Sequence, residues 1–132
     1  MTQPRILVLI ASTRSGSLNA RLAQFIAREL QLVGAEVTVP DLRDYALPLY
    51  DGDLEATAGV PEPAQRLHAL MREHVGIFIA SPEYNANASP LLLNLLAWVS
   101  RVQEHGGQMA AFARPTFALG SASPGGFGVT GA

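Results

Sequence analysis

Hydrophobic positions along this chain keep two rhythms. Ile6-Leu7-Val8-Leu9-Ile10-Ala11 is continuously apolar, with Pro4 before it and a Ser/Thr/Gly cluster after it. An unbroken run of that kind predicts a strand covered on both faces, as in parallel sheets. Over Asn19–Leu32 the rhythm becomes helical. Leu22, Phe25, Ile26, Leu30 and Val33 fall on one stripe, Glu29 is its polar exception, and Gly34 is a plausible stop. Glu36–Val39 reads as a short second strand ended by Pro40. Asp41–Pro61 loses both rhythms and carries Pro48, Gly52, Gly59 and Pro61. It reads as a long irregular stretch, a kind usually functional or disordered. Pro63–Glu73 is helical again, with Leu67, Leu70 and Met71 inward. Gly76–Ala80 is a third strand. Ser89–Arg101 is a third helix: Pro90 suits its first turn, and Leu92, Leu95, Leu96 and Val99 form its stripe. Glu104–Met109 is a Gly-containing turn, Thr116–Gly120 a fourth strand, and Ser121–Gly128 a Gly-rich loop.

Strands and helices therefore alternate β-α-β-α-β-α-β. That order predicts an α/β fold with a parallel sheet and helices on both faces. Its 132 residues suit one domain, 1–132, and 48% hydrophobic residues suffice for a core. A net charge of −2 gives no bulk attraction to nucleic acid or anionic lipid. The absence of Cys excludes disulfides, thiolate nucleophiles and Cys-ligated zinc. The N-terminus does not resemble a signal peptide, and no apolar stretch reaches membrane-spanning length. The expectation is a soluble cytoplasmic protein with no nucleic-acid and no membrane partner.

Chemistry concentrates in the segments that follow strands, where open α/β sheets bind ligands. The first is Ser12-Thr13-Arg14-Ser15-Gly16-Ser17-Leu18-Asn19. Its hydroxyls and guanidinium precede a helix N-terminus, whose free N–H groups favour an anion. Two readings stand side by side: a phosphate cradle, or an ordinary helix cap by Ser17 or Asn19. The G-x-G-x-x-G fingerprint and the P-loop G-K-[ST] are both absent. A hydroxyl-rich loop suits a terminal monoester phosphate, which favours a mononucleotide such as FMN over NAD or ATP. The second segment, Pro82-Glu83-Tyr84-Asn85-Ala86, offers an aromatic face, an amide and backbone groups for a heteroaromatic ring; it is equally a Pro/Asn turn. Glu83 has no sequence-adjacent partner for acid/base work. In the third, Ser121, Ser123, Gly125 and Gly126 let backbone approach a flat ligand. His68, His74 and His105 lack metal-ligand spacing. Asp51, Asp53 and Glu55 are a cation site or, more simply, a solvated loop. Trp98 is core or interface.

These residues carry a resemblance. Ser12–Asn19, Pro48-Leu49-Tyr50-Asp51-Gly52-Asp53, Ser81-Pro82-Glu83-Tyr84-Asn85 and Ala97-Trp98-Val99-Ser100-Arg101 resemble motifs of the NADPH-dependent FMN reductase family, in order and over nearly the whole chain. The resemblance implies a flavodoxin-like three-layer sandwich with sheet order 2-1-3-4. It also implies that the fifth strand and last helices of the family lie outside this sequence, a C-terminal truncation. The implied activity is hydride transfer from NAD(P)H to FMN and on to a quinone, azo compound or metal oxyanion. The alternatives are a flavodoxin-type electron carrier or an inactive truncated form. No catalytic acid or base and no metal ligand is implied. Ser12, Thr13, Arg14, Ser15, Ser17, Leu18 and Asn19 match the FMN-phosphate positions. Pro82, Glu83, Tyr84, Asn85 and Ala86 match the loop along the ribityl chain and ring, and Ser121, Ser123, Gly125 and Gly126 the loop beside the ring. The family implies a homodimer or homotetramer, with the third helix and Trp98 as the candidate contact. Leu93 and Ala97 stand where the family often has Lys and Asp, which makes that helix more apolar.

Overall fold

In the computed structural model, which describes residues 3–12, 17–82, 89–102 and 115–121, every strand pairing is parallel. Strands β1 (Arg5–Ile10), β2 (Glu36–Thr38), β3 (Gly76–Ala80) and β4 (Thr116–Gly120) form a sheet in the order β2-β1-β3-β4. Leu7 lies opposite Thr38 on one side and Ile77 on the other, and Ala80 opposite both Ile10 and Gly120. The expected order 2-1-3-4 is observed.

Helices cover both faces, so the architecture is the flavodoxin-like three-layer sandwich. Alternate residues of β1 divide between them, as a period of two requires. Leu7, Leu9 and Ala11, with Ile77 and Ile79, pack under α3 (Glu62–Arg72) and α4 (Pro90–Val99), meeting Leu67, Met71, Leu92, Leu95 and Val99. Val8 and Ala80 face α1 (Leu18–Leu32), meeting Ala23 and Ala27. Each buried Val, Leu, Ile or Met among them stabilises by about 1.5–3 kcal/mol.

Helix α1 corrects the expected stripe. Leu22 and Leu30 are half-buried, but Phe25 is 53% and Val33 81% exposed. The small side chains of Ala23 and Ala27, with Asn19, let the helix lie close on the sheet and turn its bulky residues outward. Val33 ends the helix, and Gly34 takes φ +99°, the left-handed geometry glycine tolerates at a C-terminus.

Asp41–Pro61 is also corrected: it is not structureless. A 3-10 turn spans Leu42–Tyr45, and α2 spans Gly52–Ala58. Asp41 accepts from Arg43 N, and Asp51 from Asp53 N and Leu54 N, so each turn is nucleated by its own aspartate cap. The expected turn Glu104–Met109 lies outside the described residues.

Candidate functional site

The carboxyl ends of β1, β3 and β4 come to one edge, and each leads into one of the three sequence-predicted ligand segments. The ladder runs one step beyond the strands: Ala11 N donates to Ala80 O (2.8 Å) and Ser81 N to Gly120 O (3.0 Å). The roots of the three segments, Ser12, Ser81-Pro82 and Ser121, are thereby held side by side.

Buried serines tie this edge together. Ser89, 2% exposed, is the N-cap of α4. Its hydroxyl donates to Ala11 O (3.0 Å) and accepts from Leu92 N (3.1 Å). Its N–H donates to Ser81 Oγ (3.3 Å), and Ser81 Oγ donates to Pro82 O (3.3 Å). The sequence pointed to a helix start here, since Ser before Pro is a cap signature. It held no sign that the same hydroxyl reaches a carbonyl 78 residues away.

Helix α1 aims its amino terminus at the same edge. Ser17 is its N-cap and accepts from Ala20 N (3.0 Å). Of the two caps considered from sequence, Ser17 is the one used. Asn19 instead lies buried on the inner face of α1. Leu18, in the first turn, is exposed. The hydroxyl of Ser121 is buried without a hydrogen-bond partner. Ser121 follows Gly120, where an added Cβ would stand 2.8 Å from the Phe78 ring and 3.5 Å from Leu22 Cδ2. Glycine at 120 thus leaves room for the Phe78 ring of the neighbouring β3. A polar atom buried without a partner calls for a ligand or water.

Ser12, Ser17, Leu18, Asn19, Pro82 and Ser121 are the sequence-predicted site residues that the structure describes, and they all lie at or beside this edge. Thr13, Arg14, Ser15, Glu83, Tyr84, Asn85, Ala86, Ser123, Gly125 and Gly126 lie outside the described residues, as does His105.

Other candidates are reassigned. Trp98 is fully buried and donates its Nε1–H to Pro48 O (2.8 Å), with Tyr50 packed edge-on at 4.8 Å. It is core, not the subunit contact expected for it. Asn94 clasps the same strap, donating to Pro48 O (2.9 Å) and accepting from Tyr50 N (2.7 Å). Glu55 accepts from Arg101 Nε (3.0 Å) and the Tyr50 hydroxyl (2.7 Å). The Arg101 hydrogen bond first, then that of Tyr50, holds the Glu55 carboxyl below its usual range; the Glu55 bond raises the Tyr50 phenol. Among the described residues no cluster of His, Asp and Glu could hold a metal ion. His68 and His74 are buried, and His74 Nδ1 lies 2.7 Å from Leu70 O. A cleft of about 290 Å³ opens between the 3-10 turn and α4, lined by Leu42, Tyr45, Leu47, Leu91, Asn94 and Leu95. None of the sequence-predicted site residues lines it.

A model of NADPH-dependent FMN reductases matches residues 4–132. The chain belongs to the NADPH-dependent FMN reductase family. The chain is 32% identical over 124 residues to an NAD(P)H-dependent FMN reductase of Pseudomonas aeruginosa, covering 94% of this chain and 62% of that one. It is 29% identical over 100 residues to a quinone reductase of Escherichia coli K12, covering 76% and 52%. Among solved structures it resembles FerB, a flavoenzyme NAD(P)H:(acceptor) oxidoreductase of Paracoccus denitrificans. That match has a TM-score of 0.72 at 25% identity and covers 92% of this chain and 62% of that one. The chain thus spans roughly half to three-fifths of the length of the curated relatives it matches. Among the described residues no helix is long and apolar enough to cross a membrane.

Proposed function

We propose that this chain holds FMN at the carboxyl edge of β1, β3 and β4 and serves an NAD(P)H-dependent oxidoreductase that reduces a small-molecule acceptor, a quinone, azo compound or metal oxyanion. The observation that carries the reading is the meeting of three ligand-segment roots with the N-terminus of α1 and the partnerless buried hydroxyl of Ser121. Family membership and relatives named as FMN and quinone reductases support the same chemistry.

The residues present fit such a cofactor. The Ser17-capped turn supplies helix N–H donors and the positive end of the α1 dipole to a phosphate. Ser12, Thr13, Arg14 and Ser15 add hydroxyls and a guanidinium, with Leu18 and Asn19 contributing first-turn backbone. Pro82, Glu83, Tyr84, Asn85 and Ala86 would line the ribityl chain and ring, and Ser121, Ser123, Gly125 and Gly126 the ring edge, where the Ser121 hydroxyl gains a partner. Bound flavin supplies hydride and electron transfer, so the protein's work is to bind, orient and exclude water. No side chain is assigned a proton-transfer role.

In this reading the protein is a cytoplasmic homodimer or homotetramer. With Trp98 inside the core, the exposed Leu49 and Leu93 on the α4 face are the apolar residues left for the subunit contact.

Fluorescence titration with FMN, followed by steady-state NAD(P)H oxidation with and without a quinone, tests the proposal. Saturable quenching and quinone-dependent oxidation are expected. Absence of FMN binding at saturation overturns the reading, and FMN binding without NAD(P)H oxidation makes the protein an electron carrier instead.

A further inference from the structure

We propose that Ser89 is a positioning residue that couples the first two ligand segments, so that the phosphate seat and the ring-facing loop hold a fixed spacing. This rests on the FMN reading above. The hydroxyl and amide of this one buried serine make three hydrogen bonds to three different parts of the chain. Its hydroxyl grips the carbonyl of Ala11, the residue from which the first segment departs at Ser12. Its amide grips the hydroxyl of Ser81, where the second segment departs, and that hydroxyl is oriented in turn toward Pro82 O. The remaining bond caps α4, so the frame to which both roots are tied is a helix whose Leu92, Leu95, Trp98 and Val99 are all buried.

A cap alone does not require this arrangement. Ser17 caps α1 with one side-chain bond to Ala20 N, and Ser17 is itself only half-buried. At Ser89 the hydroxyl proton is directed away from the helix, to β1. Buried and shielded from water, that bond resists exchange with solvent partners, and its loss leaves the Ala11 carbonyl unsatisfied next to the phosphate seat.

Ser89→Gly separates coupling from capping, because glycine is nearly as good an N-cap as serine but has no hydroxyl to offer Ala11. Ser89→Thr keeps the hydroxyl. Amide hydrogen exchange, which needs no cofactor, is measured over residues 11–20, 81–89 and 90–99, and FMN affinity by fluorescence titration. In Ser89→Gly, exchange is expected to quicken in both 11–20 and 81–89. FMN affinity is expected to fall about tenfold, the scale of one buried hydrogen bond. Ser89→Thr restores both. Faster exchange confined to 90–99 shows a plain helix cap and overturns the proposal. So does unchanged FMN affinity despite faster exchange at both roots. A wild-type chain that takes up no FMN overturns the cofactor reading and the positioning role with it, while exchange still reports whether the two roots are joined.

Discussion

Helices α1 and α4 hold equivalent places: each follows a ligand segment at the carboxyl end of a strand, and each begins at a serine cap. They are built on opposite plans. α1 touches the sheet through alanines and leaves Phe25 and Leu32 in solvent. α4 is buried along its sheet side, locked at its start by Ser89, and strapped through its Asn94 and Trp98 and by Arg101 just beyond its end, which bind Pro48, Tyr50 and Glu55. The contrast assigns two tasks. A helix with a half-buried cap and its dipole's positive end at the edge is suited to receive an anion, whereas a helix with a buried, fully used cap is suited to be the reference against which the loops are held.

The strongest way to break the contrast is at the strap. Trp98→Ala removes a fully buried ring and one of the two side-chain donors to the Pro48 carbonyl, the other being Asn94. Stability measured by urea unfolding is expected to fall by about 3–5 kcal/mol; a loss below about 1 kcal/mol would show that the strap does not anchor α4. Next is the buried cap. Ser89→Ala removes both the cap and the Ala11 link and is expected to cost about 2 kcal/mol by the same measurement. Ser17→Ala is expected to cost about 1 kcal/mol, the ordinary value for a lost cap. Equal losses at the two serines would erase the distinction between them.

A smaller effect concerns Glu55, whose side chain is 21% exposed beside a 42% exposed Arg101. Its carboxyl is depressed in the folded state by Arg101 and Tyr50. The stability it contributes is therefore present above the ordinary carboxylate value of 4.5 and is lost as pH falls through the depressed value. In Glu55→Gln, thermal melts from pH 6 down to pH 3 should show a shallower decline than wild type, discounted for the exposure of the pair. An unchanged slope would show that the pair contributes nothing to holding the strap. The smallest effect is expected on the open side of α1, where Phe25→Ser should alter stability by no more than about 0.5 kcal/mol. A larger loss in urea unfolding would mean that this surface is covered in solution.

The periodicity of the chain was enough to read β1, β3 and β4 and the helices that became α1, α3 and α4. Each has a run of one rhythm long enough to outweigh its flanks. The 3-10 turn and α2 were missed because both are short and owe their start to a single aspartate cap rather than to an apolar stripe. Phe25 was misplaced for a related reason: helical spacing shows that a face is apolar, but how closely a helix approaches its sheet depends on the alanines between the bulky positions. The candidate site was legible as composition. Hydroxyls, Arg, Asn and Gly gathered after strands, and the described members of that set do lie at one edge.

What sequence alone determined was the alternation of elements, the parallel sheet and the segments carrying polar chemistry, because those follow from local period and residue type. Only the tertiary structure decided that Trp98 belongs to the core, that Ser17 and not Asn19 caps α1, that the Ser121 hydroxyl is left without a partner, and that Ser89 joins two strand ends. Each of these depends on which surfaces meet across the sheet, and hydrogen bonds between residues tens of positions apart leave no periodic trace in a chain.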